Sequence, residues 1–195
     1  MVDAMIAVVA QQGYSETTVA DIISTAGVSR ATFYEQFADK EDCFVAAYAA
    51  VMEGMLAFVA EGFATDETGD WVQQIRGGLG SLLAYLAGNP VTARVGIVEA
   101  FGAGSRARDR YQEAVSSFFP FLDAARDLTD EGDRLPSETA RVVVGGVSAL
   151  IFDQVSNGNP RQLPDLLPEL IYLAVVQYLG HDAAIRAMHE TEMSA

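Results

Sequence analysis

Cysteine is almost missing from this sequence of 195 residues. Cys43 stands alone, which excludes an intrachain disulfide and any metal site built from several thiolates. It falls within an amphipathic pattern and reads as a small core residue in preference to a redox sensor. Histidine is equally scarce: His181 and His189 lie eight positions apart beside Glu190 and Glu192, which reads as a solvated tail and not as a metal site. The longest charge-free stretch of strongly apolar character, Val142 to Phe152, is far short of the roughly 20 residues that span a bilayer. No N-terminal stretch joins a basic flank, an apolar run and a small-residue cleavage site. A cytoplasmic chain without a membrane partner is therefore expected. The sequence shows no internal repeat, no phosphate loop and no Ser/His/Asp constellation, so neither an enzyme nor a cofactor is expected.

Positive charge is the other shortage. Lysine and arginine total 12 against 27 carboxylates, a formal net charge of −15. Residues 1 to 50 hold only Arg30 and Lys40, facing Asp3, Glu16, Asp21, Glu35, Asp39, Glu41 and Asp42. A generic nucleic-acid binder is basic, so any DNA contact here must come from a few placed groups working against the field of the whole protein. With Met1 directly before the first helical pattern, no basic arm is expected to add phosphate contacts.

What is present is a packed globular composition, 50% hydrophobic and 20% charged. The length suits a small module joined to a larger domain. Val2, Met5, Ile6 and Val9 make one face of a helix ending near Gly13. Thr17 and Thr18 precede Val19, Ile22, Ile23 and Ala26, and Thr18 with Asp21 forms a capping pair. Gly27 supplies a turn that needs positive φ. Ser29 then caps a short helix in which Phe33 and Phe37 are the strong core anchors. Its other side offers groups suited to a major groove, where arginine pairs with guanine, glutamine with adenine, and threonine or alanine meets a thymine methyl. This is the pattern of a helix-turn-helix. A further helix opens at Asp39, with Lys40 placed to meet a phosphate.

The run from Gly13 to Phe44, GYSETTVADIISTAGVSRATFYEQFADKEDCF, resembles the DNA-binding domain of the TetR/AcrR family of bacterial transcriptional regulators. The likeness rests on the double threonine, AGVS, the T-aromatic-Y step, the following phenylalanine and K-E, all at matching spacings. It implies phosphate contacts from Thr17 and Thr18, and a base- or backbone-facing surface of Ser29, Arg30, Ala31, Thr32, Glu35 and Gln36. Tyr34 and Lys40 would clamp phosphate, and Arg30 and Gln36 would read bases. Glu35 departs from the aromatic or basic residue often found there; it could accept from a cytosine amino group or repel phosphate.

Beyond the module, Phe44, Ala47, Tyr48, Val51, Met55 and Phe58 continue one face of a long helix, with a turn-rich stretch from Gly62 to Asp70. Trp71 to Gly88 reads as a helix in which Gly77, Gly78 and Gly80 suggest close packing or a soft point. A short helix runs from Pro90 to about Phe101, then a long one from Ser105 to Leu128 kinked at Pro120. Arg106, Arg108 and Arg110 could meet an anionic ligand or form a solvated face, the latter being preferred. A charged linker occupies 127 to 136. Helices then run from Glu138 to Asn157 and from Leu166 to Leu179, the first apolar on every side at its centre. A helix apolar all round is buried all round, so a second copy of the chain is expected to cover part of it. Gly145, Gly146 and Ala149 would allow close approach; Val142, Phe152, Leu170, Leu173 and Val176 would complete the contact.

These observations predict an all-α chain: a three-helix helix-turn-helix domain over 1–45 joined to a larger helical domain over 46–195. The family resemblance implies that the larger domain binds a small, mostly apolar effector and forms a homodimer. It places the effector among Met55, Phe58, Trp71, Tyr85, Phe101, Tyr111, Phe118 and Phe119. The expected function is a repressor released from a pseudo-palindromic double-stranded DNA operator by that effector. The competing reading is a small-molecule or protein-binding dimer of the same fold that has lost useful DNA binding.

Overall fold

The computed structural model describes residues 1–66, 68–129 and 132–193, and every regular element among them is helical. Helix α1 spans Val2–Glu16 with a break at Gly13, whose φ of 80° and ψ of 160° lie outside helical values. Helices α2 (Val19–Ala26), α3 (Arg30–Gln36) and α4 (Lys40–Phe63) follow. Thr18 makes the expected capping box with Asp21, Ser29 caps α3, and Gly27 ends α2 in the left-handed conformation at φ 67°. The core of this region is Met5, Val9, Ile22, Phe33 and Phe44, each fully buried.

Helix α5 covers Trp71–Gly88. Of its glycines, Gly77 is a close-packing position. A Cβ on Gly77 would collide with the carbonyl oxygen of Gly62 in α4, and one on Gly62 with that of Gly77. Helix α4 therefore continues to Phe63, through residues expected to begin a loop.

Helix α6 (Pro90–Ala93) runs on as a π-helical turn, Arg94–Val98, and a 3₁₀ turn, Glu99–Phe101. The single long helix expected from Ser105 to Leu128 is instead three pieces. Helix α7 ends at Ser116, α8 covers Phe119–Asp123, and a 3₁₀ segment covers Ala124–Leu128. Pro120 lies in the first turn of α8, where its missing N–H costs nothing, and does not kink a longer helix. The charged linker expected at 127–136 includes Asp130 and Glu131, which lie outside the described residues.

Helices α9 (Thr139–Ser156), α10 (Leu167–Leu179) and α11 (His181–Glu192) close the chain. The stretch expected to be a solvated tail is thus a helix that buries Ala184, Ala187 and Thr191. Helix α9 is one-sided. Val143, Val144, Val147, Ile151 and Val155 are buried, while Val142, Gly145, Gly146, Ala149 and Leu150 are exposed.

Backbone proximity divides the chain into two compact units, 1–54 with 89–114, and 55–88 with 115–195. This division differs from a cut after residue 45, since the segment around α6 belongs with the N-terminal helices and α4 begins in one unit and ends in the other. Among the described residues, α4 is the one helix long and apolar enough to cross a membrane by length and composition. Glu53 interrupts its apolar sequence, so no long charge-free run marks this helix. Its face of Cys43, Phe44, Ala47, Tyr48, Val51, Met52, Met55 and Val59 is buried within the protein.

Candidate functional site

In the first unit, α3 is pinned by Phe33, which is fully buried and packs edge-on against Tyr34 at 5.3 Å and tilted against Phe37 at 5.6 Å. Arg30, Ala31, Tyr34, Glu35 and Gln36 all face solvent, Tyr34 with 51% of its surface exposed. The structure thus gathers these residues on one short helix. Ser29 and Thr32 are partly spent on each other: the Ser29 hydroxyl accepts the Thr32 N–H at 3.0 Å and lies 2.9 Å from the Thr32 hydroxyl.

The two threonines before α2 part ways. Thr18 is exposed, and its N–H and hydroxyl both donate to Asp21 at 2.9 and 2.7 Å. Those bonds, the hydroxyl's first, hold the Asp21 carboxyl below its usual range. Thr17 is 1% exposed, and its hydroxyl donates to the Gly13 carbonyl at 2.7 Å. Its side chain serves the break in α1 and does not face outward as a phosphate contact would require.

Lys40 departs from its expected role for the same reason. Its ammonium donates to the Tyr14 carbonyl at 2.9 Å and the Thr17 carbonyl at 2.8 Å, and sits 4.1 Å above the Tyr14 ring. An ammonium has three protons. Two of them close the end of α1, which leaves at most one for a phosphate.

Arg106 lies in a solvated setting, as preferred, with defined partners. Its guanidinium meets Asp39 at 2.7 Å, Asp42 at 3.3 Å and Glu41 at 3.4 Å, and its backbone N–H donates to Glu41 at 3.1 Å. Gly104, at φ 108°, leaves room for that Glu41 carboxylate where a Cβ would collide. The Asp39 carboxyl is held low, first by the N–H of Asp42 that it caps and then by Arg106. Cys43 is fully buried, and desolvation pushes its thiol up to about 11, the behaviour of a core residue and not of a reactive thiol.

In the second unit an apolar cavity lies between five helices. Val59 and Phe63 of α4, Ile75, Gly78 and Leu79 of α5, Phe118, Phe121 and Leu122 at α8, Val143, Val144, Val147 and Ser148 of α9, and Ala174 of α10 line it. The Ser148 hydroxyl is the one polar side-chain group in that lining. Of the eight aromatic and sulfur residues expected to form a pocket, only Phe118 reaches it. Met55 and Trp71 are buried, and Trp71 donates its indole N–H to the Phe121 carbonyl at 2.8 Å. Phe58 and Tyr85 stack on each other 4.6 Å apart, and Phe119 is not among the lining residues. Phe101 and Tyr111 pair at 4.7 Å in the other unit. Three phenylalanines, Phe63, Phe118 and Phe121, do line the cavity, but most of its wall is aliphatic, and residue size alone does not show which side chains face it.

The expected contact between copies also needs amendment. Leu170 is fully buried within its own chain and faces inward. Val142 is 68% exposed, and Gly145, Gly146 and Ala149 share its side of α9; Phe152, Leu173 and Val176 are half-buried.

Comparisons with known proteins agree with this geometry. Residues 2–47 match the model for bacterial regulatory proteins of the tetR family. No curated protein sequence matches the chain. Among solved structures, the regulator FadR of Bacillus subtilis in complex with stearoyl-CoA is 20% identical, with 92% of this chain and 96% of that one covered at a TM-score of 0.72. The fatty acid degradation regulator FadR of Bacillus halodurans is 19% identical, covering 89% and 92%, at 0.75. A tetR-family regulatory protein of Rhodococcus RHA1 is 17% identical, covering 91% and 94%, at 0.67. At these identities the neighbours establish a shared fold, and it is the N-terminal module that carries the assignment. Residues 2–47, with their capped turn and a helix anchored on Phe33, are thus similar to the N-terminal module of the tetR family of bacterial regulatory proteins, and the whole chain shares the fold of these regulators.

Proposed function

We propose that the chain is a DNA-binding transcriptional repressor whose hold on a pseudo-palindromic operator is released by a small, mostly apolar effector. The observation that carries this reading is α3: one buried anchor, a capped start, and a continuous outward face of Arg30, Ala31, Tyr34, Glu35 and Gln36. In such a motif the second helix enters the major groove, and a dimer spaces two of them about 34 to 36 Å apart. Arg30 and Gln36 are the base readers; Thr18, Tyr34 and the remaining proton of Lys40 meet phosphate. On this reading the DNA-reading function belongs to residues 1–45 and the effector and dimer functions to 46–195.

The effector occupies the cavity lined from α4, α5, α8, α9 and α10. No charged side chain lines it. It therefore suits a hydrocarbon portion of a ligand and not an anionic head, in keeping with the stearoyl-CoA seen in the FadR of similar fold. Because an effector must bind one state better than the other, effector and operator weaken each other by equal factors.

The homodimer is supported by α9. A Cβ added at Gly145 or Gly146 would meet nothing within 4 Å, so this chain by itself has no use for two glycines that cost about 1 kcal/mol each in a helix interior. A second chain packed closely against that face gives them one.

The test is selection of duplexes by the wild-type chain from a random-sequence pool, followed by mobility shift. Arg30→Ala with Tyr34→Ala is expected to abolish binding to the selected duplex, and stearoyl-CoA is the first probe for release. The alternative, a dimer of this fold without useful DNA binding, draws support from the seven carboxylates against two cations in residues 1–50. Recovery of no enriched duplex would establish it.

A further inference from the structure

The break in α1 at Gly13 frees backbone groups that an unbroken helix would pair, and three side chains, one local and two from elsewhere in the first unit, take them. Thr17 donates to the Gly13 carbonyl and Lys40 to the Tyr14 carbonyl. The Tyr14 N–H donates to Glu99 at 2.9 Å across 85 residues of sequence. The Glu99 side chain is 11% exposed and also accepts from Arg94 at 3.1 Å. Tyr14 is thus held on both sides, its N–H by the segment after α6 and its carbonyl by the first residue of α4 together with the Thr17 N–H.

Two details show that the arrangement is specific. Gly13 lies beside the Glu99 carboxylate, at ordinary contact distance for a Cβ, and holds a φ of 80° that side chains rarely adopt. Glu99 follows directly on the π-helical turn Arg94–Val98. A π turn holds one residue more than an α turn, so the same chain wound as α-helix would rotate residue 99 by about 100° around the axis. The carboxylate would then leave Tyr14.

We propose that Glu99 is a positioning residue of the DNA-reading unit. Through the Tyr14 N–H it fixes the direction in which α1 hands over to Thr17, Thr18 and α2, and so the placement of the reading helix. Glu99 itself does not touch DNA. The π turn sets the register that delivers the carboxylate, so the unit reads DNA well only while residues 94–98 keep that register. This inference rests on the DNA-reading assignment above.

The experiment uses the full chain and the duplex selected by the wild type. Glu99→Ala is expected to weaken binding about tenfold, the scale of losing a charged acceptor from a buried N–H. The slope of log affinity against log salt should stay unchanged, because no phosphate contact is lost; a lost contact would flatten it by about 0.9. Glu99→Gln keeps an acceptor oxygen and should recover most of the affinity. Hydrogen exchange at the Tyr14 amide reads the latch directly: it should speed up in Glu99→Ala and far less in Glu99→Gln. Wild-type affinity in Glu99→Ala, a flattened salt slope, or an unchanged Tyr14 amide would each overturn the inference. If Glu99→Ala does not fold, Glu99→Gln with a protected Tyr14 amide and retained binding upholds it, and Glu99→Gln with an unprotected amide and full binding refutes it. Failure of the wild type to select any duplex would instead remove the DNA-reading assignment and leave the exchange result standing alone.

Discussion

In the unit of residues 1–54 and 89–114, charged and hydroxyl side chains close onto backbone groups that turns and helix breaks leave open. In the unit of 55–88 and 115–195, the helices around the apolar cavity meet mainly through glycine and aliphatic side chains, while Arg76 and Arg126 donate to backbone carbonyls away from the cavity lining. Lys40 on two carbonyls, Glu99 on the Tyr14 N–H, and Thr18 and Asp21 each on the other's N–H belong to the first kind. The Gly62–Gly77 crossing and the valine-lined cavity belong to the second. The difference follows from what each must do. A reading head of short helices, seven residues in α3, cannot bury enough apolar surface to hold its shape and needs directional bonds. A unit that encloses an apolar cavity gains from walls without fixed polar partners.

The contrast predicts where each unit breaks. Phe33 is the one side chain of α3 buried to completion, so Phe33→Ala should cost about 3 to 5 kcal/mol in denaturant unfolding. Its neighbour Tyr34, half exposed, should change stability by less than about 0.5 kcal/mol when truncated, while lowering affinity for the selected duplex. Equal losses at the two positions would mean that α3 is not held by a single anchor.

Two glycines in the second unit sharpen the comparison. Gly77→Ala should destabilise by about 1 to 3 kcal/mol, because the added carbon meets the Gly62 carbonyl and a backbone cannot swing aside. Gly145→Ala should stabilise an isolated chain by up to about 1 kcal/mol, since nothing lies within 4 Å and alanine favours helix. Melting curves at several protein concentrations separate the outcomes. A Gly145→Ala variant that melts lower, with a loss that grows as the wild type is concentrated, places a second copy on α9.

How much of this was legible in the sequence differs between the units for a physical reason. The capping box at Thr18, the cap at Ser29, the left-handed Gly27 and the Phe33 anchor are set by residues within four positions of one another. Local spacing therefore revealed them. Helices α5, α9 and α10 were equally readable from apolar periodicity. Thr17 and Lys40 were placed outward because the sequence does not show that Gly13 opens carbonyls nearby for them to fill. Glu99 had no local signal, its partner being 85 residues away. The cavity is lined mainly by aliphatic residues whose facing is decided only once five helices assemble, so no spacing in the sequence marks it. Leu170 looked like an interface residue because periodicity shows that a face is buried and not which neighbour buries it.

The smallest effect tests whether the first unit's polar bonds contribute as charges or only as shapes. Thr18→Ala removes the cap of α2 and should cost about 1 kcal/mol. Asp21 supplies the other half of the capping box, and its hydrogen bonds with Thr18 lower its carboxyl pKa from 3.8 in the folded chain. The unfolded chain keeps the ordinary value, so it binds more protons as pH falls towards and below 3.8. Asp21 therefore contributes its full stabilisation above that pH and loses it progressively as pH falls through the lower folded value. Asp21→Asn keeps an acceptor oxygen but cannot titrate. The gap in melting temperature between wild type and Asp21→Asn should be constant above about pH 5 and close below about pH 4. A gap that persists unchanged at pH 3 would show that the charge at the helix start contributes nothing, and that the capping box acts through the shape of its hydrogen bonds alone.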